Sequence, residues 1–218
     1  MADLRECAQC GAPFVPGREH ARFCSTTCRM TWNAEHDGVA AAPLVAIDWS
    51  VTAMAEAAGR FAWAGTWERS RAAGAVSETV WWITLVDATL VRYHRRDYEN
   101  ALVVQSIELR RKIEGTLGGL RFVRNRLGCS VDPAEFIRRP SEADASGWVW
   151  TSQPEPPLTG LPDSSRAWEL SRYRSYQARL AGRDIARTFA RCAVFLEQAA
   201  QRAKASEASE ARAGGAHR

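Results

Sequence analysis

The sequence predicts a mostly α-helical protein: a small cysteine module, built from a short β-hairpin plus a helix, followed by a bundle of five or six helices. Three observations carry this. Cys7, Cys10, Cys24 and Cys28 fall in a C-x2-C, thirteen-residue, C-x3-C pattern. From Leu44 onward, apolar residues recur at three- and four-residue steps, the period of a helix with one buried face. The chain has 218 residues, 46% of them hydrophobic, enough for a small module plus one larger domain that buries its own core without staples.

Residues 1–36 form the cysteine module, and Asp37 to Pro43 (DGVAAAP) reads as a small-residue linker whose Pro43 suits a first helical turn. The helical domain spans 44–200. Its first helix runs from Leu44 to about Trp63, with Leu44, Ile47, Val51, Met54, Ala58 and Phe61 on one stripe. A second starts near Glu68 or Ala75 and ends at Tyr93, spacing Val76, Val80, Ile83 and Leu90 for burial. Val80 to Val86 has strand composition, but the pattern outruns strand length, so helix is the prediction.

Asp97 to Asn100 reads as the start of a third helix, continuous from about Ala101 to Leu127 with Leu109, Ile113, Leu117, Leu120 and Leu127 on one face. Gly115, Gly118 and Gly119 weaken its middle, each by about 1 kcal/mol relative to alanine. Asp132-Pro133 begins an N-capped turn. Residues 140–162, rich in Pro, Ser, Gly and acid, form a long loop with one short strand at Trp148-Val149-Trp150. Ser164 or Ser165 starts a helix carrying Trp168, Tyr173, Tyr176 and Leu180 that stops near Gly182, and Asp184 opens the last one with Ile185, Phe189, Cys192, Phe195 and Leu196. From Gln201 the composition shifts to Ala, Ser, Glu, Arg and Gly, so 201–218 is expected to be a flexible tail.

Composition narrows the function. No apolar run reaches the ~18 residues that span a bilayer, and the N-terminus lacks a charged-then-apolar signal region. The expectation is a cytoplasmic protein with no membrane partner. Four cysteines in paired spacing, with Cys129 and Cys192 standing alone, suit a reducing compartment better than a disulfide framework. The net charge of +4 does not by itself argue for nucleic acid, but it is uneven: residues 1–91 carry −3, residues 92–139 carry +5 and residues 140–218 carry +2.

The cysteines have metal chemistry. Zinc takes four soft or borderline ligands in a tetrahedron. In Cys7-Ala8-Gln9-Cys10-Gly11, two intervening residues let both thiolates meet one ion, and Gly11 permits the tight turn that aims backbone N–H groups at sulfur. Pro13–Pro16 and Ala21–Phe23 read as two hairpin arms. Cys24 and Cys28 share one face of a helix for which Ser25 is the N-cap and whose positive end favours thiolate. Knuckle, hairpin and helix make a treble clef. A closed four-thiolate shell leaves no position for water, so the zinc is structural.

The residues C-x-x-C-G-x-x-F…R-F-C-S-x-x-C-R over 7–32 resemble the short FCS-type zinc fingers common in bacterial proteins, including modules fused ahead of helical domains in actinobacterial proteins. The finger's own charge is balanced. Nucleic-acid contact would use Arg18, Arg22 and Arg29, with Phe14 or Trp32 stacking on a base; contact with a protein partner, or stabilisation alone, is the other reading.

In the helical domain the strongest local feature is Arg121-Phe122-Val123-Arg124-Asn125-Arg126, with Arg110 near the same face. An R-N pair ending a helix after a long helical hairpin resembles the HEPN family, whose active members pair that arginine with a histidine four to six intervening residues later. Here those positions lead to Cys129, Ser130 or Val131, so the resemblance implies a non-catalytic relative, and a solvated arginine face is the simpler reading. Asp87 and His94 stand two helical turns apart, and Glu56, Glu78, Asp87 and Glu108 lack a Glu-x-x-His partner for a bundle metal site. No serine lies in a nucleophile elbow and no phosphate-binding glycine loop is present. Most of the nine tryptophans are expected in the core; Trp148 and Trp150, in the long loop, are the candidates for a lid or partner contact. No catalytic residue is assigned. The reading is a zinc-binding adaptor or recognition protein; the alternative is a nucleic-acid binder using Arg110, Arg121 and Arg124. An apolar helix face left over after one core is packed would favour a homodimer.

Overall fold

The computed structural model, which describes residues 4–16, 21–26, 28–29, 44–127, 132–140, 147–159 and 163–215, is mostly α-helical with a small hairpin near the N-terminus. The chain divides into two units, Met1–Pro43 and Leu44–Arg218.

In the first unit, β1 (Arg5–Glu6) pairs antiparallel with β2 (Pro13–Phe14), Arg5 opposite Phe14. This corrects the expected pairing of 13–16 with 21–23. Pro16 has no N–H to give a ladder with the later arm. The chain instead folds back around the knuckle: Cys7 N donates to Ala12 O and Gly11 N to Cys7 O, both at 2.9 Å, with Gly11 at φ 69°. The 21–23 arm joins through Ala8 N donating to Arg22 O.

The second unit begins with α1 (Leu44–Ala62) and α2 (Arg69–Tyr93). The second of these is the axis of the bundle. It buries Val76, Val80, Ile83, Val86 and Leu90 at helical steps, so the run from 80 to 86 is helix, as its length predicts. Thr79 and Thr84 are also buried there, and each hydroxyl donates at 2.8 Å to a carbonyl one turn back, which removes the penalty of an unpaired polar group.

The single third helix predicted from Ala101 to Leu127 is two: α3 (Arg95–Val103) and α4 (Ile107–Leu127). Ser106 causes the break, its hydroxyl accepting from Leu109 N at 3.2 Å and offering the backbone a cap in place of continued helix. Nor do the glycines of α4 weaken it for nothing. A Cβ on Gly119 would lie 2.7 Å from Leu180 Cδ1 and 3.1 Å from Tyr176 Cα. Gly119 is the space into which α5 (Asp163–Arg179) packs.

Asp132 caps a short turn at Pro133–Phe136, accepting from Ala134 N at 2.8 Å. Then β3 (Ile137–Arg138) pairs antiparallel with β4 (Val149–Trp150). The segment after β4 is stitched to α5: Tyr176 donates to Thr151 O, and Tyr173 and Gln177 donate to Gln153 O. Gly182, at φ 72°, turns the chain into α6 (Ile185–Gly215), which Asp184 caps by accepting from Arg187 N at 2.7 Å.

Residues 201–215 correct part of the expectation of a flexible tail at 201–218; the last three, 216–218, lie outside the described residues. Helix α6 continues to Gly215. Ala203 is fully buried, Lys204 pairs with Asp48, Ser206 donates to Asp97 Oδ1 at 2.7 Å, and Glu207 lies 3.7 Å from His94 Nδ1. Low hydropathy hid this because alanine, serine and a few charges are enough for one helix edge that docks onto α1, α3 and the junction before α3. No helix among the described residues is long and apolar enough to cross a membrane.

Candidate metal centre and basic–aromatic cleft

The four sulfurs of Cys7, Cys10, Cys24 and Cys28 lie within 4.8 Å of one another. Cys24 Sγ is 3.7 Å from Cys10 Sγ and 3.5 Å from Cys28 Sγ. A tetrahedron with metal–sulfur bonds of about 2.3 Å places its sulfurs roughly 3.8 Å apart, so the quartet fits a metal ion. Local structure positions each ligand. The knuckle turn presents Cys7 and Cys10; Ser25 Oγ accepts from Cys28 N at 3.1 Å, starting the helical turn that carries Cys28. Cys24 N points at Cys7 Sγ from 3.4 Å.

The electrostatics already favour one thiolate. Burial raises the pKa of Cys7, but the backbone N–H groups of Cys24, Cys10 and Gln9 outweigh it and bring the thiol from 9.0 down to about 6. Cys24 is pushed up to about 12, because its S–H donates toward Cys28 and faces Cys7 and Cys10. A cation at the centre takes the place of that shared proton. The quartet is the one cluster of metal-ligating side chains among the described residues. Glu56, Glu78, Asp87 and Glu108 do not meet: Glu78 bonds Arg60 at 2.5 Å on the surface, and Asp87 is buried against Arg121.

The predicted contact residues divide. Arg18 lies outside the described residues, as do Trp32 and the positions 128–131 that follow Leu127. Arg22 stacks on Phe23 with 5.7 Å to the ring centre, and Arg29 is exposed. Arg110 holds Glu114 on the surface of its own helix at 3.1 Å. Arg121 turns inward. Its guanidinium grips Asp87, which is fully buried and also accepts from the Tyr98 hydroxyl at 2.8 Å. Arg110 and Arg121 therefore do not share a free face with Arg124.

Trp148 and Trp150 correct the expectation of a lid or partner contact. The β3–β4 pairing draws them into the core, 5% and 0% exposed. Trp148 Nε1 donates to Ala64 O at 2.8 Å and Trp150 Nε1 to Thr188 Oγ1 at 3.3 Å. Meanwhile the helical tryptophans expected in the core are exposed at Trp49, Trp63, Trp81 and Trp168.

Two of those indoles line a cleft of about 1090 Å³ between α2, the end of α4, the segment 156–159 and α5. Arg124 stacks on Trp81 at 4.7 Å, and Arg172 lies over Trp168. Arg126 joins them on the lining, where Glu169 is the only carboxylate among the described residues and accepts from Asn125 Nδ2 at 3.3 Å. Burial and the charge of Arg121 lower the pKa of Arg172 to about 10, so it stays a cation at neutral pH in a crowded positive site. Arg172, Trp81 and Trp168 were not singled out as contacts from sequence, and Arg126 entered only as part of the helix-end run. The available signal was W-x-x-x-R at Trp168 and Arg172, which puts a cation one turn from an indole on the same face.

A leftover apolar face is also present: Val103, Val104 and Ile107, at the corner between α3 and α4, are more than half exposed.

The chain matches no protein-family profile, no curated protein and no solved structure.

Proposed function

We propose that this is a zinc-binding recognition protein whose helical unit takes single-stranded nucleic acid in the cleft between Trp81 and Trp168. In this reading residues 1–36 are a treble-clef finger holding a structural zinc through Cys7, Cys10, Cys24 and Cys28. The helical domain begins at 44, after the linker 37–43. The zinc orders a segment in which Cys7 is the one buried side chain among the described residues. All four ligand positions are filled by thiolates, so it activates no water.

The observation that carries nucleic-acid recognition is the pairing of cations with half-exposed indoles in one cleft: Arg124 on Trp81, Arg172 on Trp168, and Arg126 beside them. Arginines hold phosphates by bidentate, charge-assisted hydrogen bonds, and indoles stack on bases of any sequence. The weak resemblance of this helix end to non-catalytic HEPN-like domains agrees with binding without cleavage. Four thiols near one point persist in a reducing compartment, which supports a cytoplasmic location.

The test is fluorescence anisotropy of a labelled single-stranded oligonucleotide with the zinc-loaded full chain. Affinity falls steeply with salt, and Trp81→Ala loses between about fivefold and a hundredfold. Absent or salt-independent binding rejects the nucleic-acid reading. Metal analysis of protein purified without added metal gives one zinc per chain; iron, or no metal, rejects the zinc reading.

A further inference from the structure

A second basic cavity lies away from the tryptophan cleft, where the α5–α6 turn meets the middle of α4. It encloses about 450 Å³ and is lined by Lys112, Arg179, Arg183, Arg187 and Arg191. The one carboxylate there among the described residues is Asp184, and its Oδ1 is already engaged by Arg187 N at the start of α6. None of the five cations makes an ion pair among the described residues. The nearby Glu114 is held by Arg110.

The cations are held in place by the fold. Arg183 sits in a turn bonded on both sides to β4: Trp150 N donates to Arg183 O at 3.0 Å, and Gly182 N donates to Trp150 O at 2.8 Å. Arg187 and Arg191 follow one turn apart on α6, so they face the same way. Arg179 lies across α4 because residue 115 is glycine; a Cβ there would stand 3.0 Å from Arg179 Cγ and 3.1 Å from its Nε. Like charges one helical turn apart repel. A polar cavity that collects five cations from three helices and the turn between two of them, against the single carboxylate of Asp184, is arranged for an external anion.

We infer that this cavity is an anion site that takes a phosphate-bearing ligand. The ligand places a phosphate or diphosphate between Arg183, Arg187 and Lys112. Its source is either a free phosphorylated small molecule or the backbone of a nucleic-acid strand, since both present the same oxygens.

The experiment is calorimetric titration of the zinc-loaded full chain with inorganic pyrophosphate at low salt. The double variant Arg183→Gln/Arg187→Gln, both at exposed positions, lowers the affinity by at least about tenfold, the effect of removing one charge-assisted hydrogen bond. Arg124→Gln/Arg126→Gln, in the tryptophan cleft, lowers it by less than the Arg183→Gln/Arg187→Gln pair does. Circular dichroism confirms that each variant is folded. Lys112→Gln gives a second reading on the opposite wall of the cavity, with a smaller loss in the same direction. No pyrophosphate binding, or binding that depends on Arg124 and Arg126 instead of Arg183 and Arg187, overturns the inference. Competition by a short single-stranded oligonucleotide then separates the sources: displacement of pyrophosphate assigns the phosphate to a strand, and its retention assigns it to a free ligand. Because the two pairs of arginines are tested separately, this site can fail while the tryptophan cleft stands, and the reverse.

Discussion

The two units hold their shape by different means. Among the described residues of Met1–Pro43, one side chain is buried, Cys7. Leu4 and Val15 are more than half exposed, and the described secondary structure is a hairpin of two residues per strand and one helical turn at Cys28. Nothing described there buries enough apolar surface to offset the entropy of ordering the chain. Four converging sulfurs supply the missing attraction once a cation joins them. The Leu44–Arg218 unit buries an uninterrupted core from Ile47 on α1 to Ala200 on α6, with interlocking rings at Phe122, Phe136, Tyr176, Trp150 and Phe189. One unit is organised by chemistry at a point, the other by packing over an area. Each should therefore fail under a different insult.

The largest expected effect comes from metal removal. Binding of a structural zinc supplies about 10–16 kcal/mol of apparent free energy at neutral pH, more than a hairpin this small can replace. Chelation, or Cys24→Ser, should unfold the first unit and leave the second. Limited proteolysis would then cut within residues 1–43 while far-UV circular dichroism barely changes. A parallel loss of the helical signal would break the comparison.

Next is the buried ion pair. Arg121→Met leaves Asp87 as an unpaired charge in the core with the Tyr98 hydroxyl as its remaining hydrogen-bond donor among the described residues, and should cost about 3–5 kcal/mol in thermal or denaturant unfolding. Asp87→Leu/Arg121→Met together should cost less than Arg121→Met alone, because no charge is left stranded.

Gly119→Ala is smaller. The added methyl meets Leu180 Cδ1 and the Tyr176 backbone, and separating α4 from α5 should cost about 1–3 kcal/mol. Gly74, where an added methyl meets nothing within 4 Å, is the control: Gly74→Ala should be neutral or stabilising by up to about 1 kcal/mol.

The last effect vanishes near neutral pH. Burial raises the pKa of Cys192 from its ordinary 9.0, and of Tyr98 and Tyr176 from their ordinary 10.0. For Tyr98 the Asp87 carboxylate adds to the rise. A raised acid is favoured neutral in the fold, so its contribution is complete below the unfolded pKa and is lost as pH climbs toward the folded one. The helical unit should thus lose stability progressively above about pH 9, which equilibrium unfolding at stepped pH would measure. Cys192 should also resist alkylation at pH 8 until the unit is unfolded.

Much of the fold could be read in advance because it rests on local pattern. Val76, Val80, Ile83 and Leu90 mark α2 by spacing alone, and Asp132 and Asp184 cap where short-range chemistry says they should. The tryptophans went the other way. Trp148 and Trp150 lie in a stretch of loop composition, yet pairing with Ile137–Arg138 carries them inward. Trp81 and Trp168 sit at helical spacing, yet their faces look out and meet Arg124 and Arg172. Burial of the first pair and exposure of the second follow from which elements pack against them, and that lies outside any short window of sequence.

By itself, the sequence determined the cysteine quartet, the predominance of helix and most helix ends, since spacing, caps and hydrophobic period act over a few residues. Tertiary structure alone decided which arginines are free to work. Arg121 is tied to an aspartate thirty-four residues away, Arg110 is held by its own helix, and five cations without an ion pair among the described residues collect where α4, α5 and α6 converge. Charge is written residue by residue, but whether it is spent on the protein or left for a partner depends on which distant carboxylates the packing brings within reach.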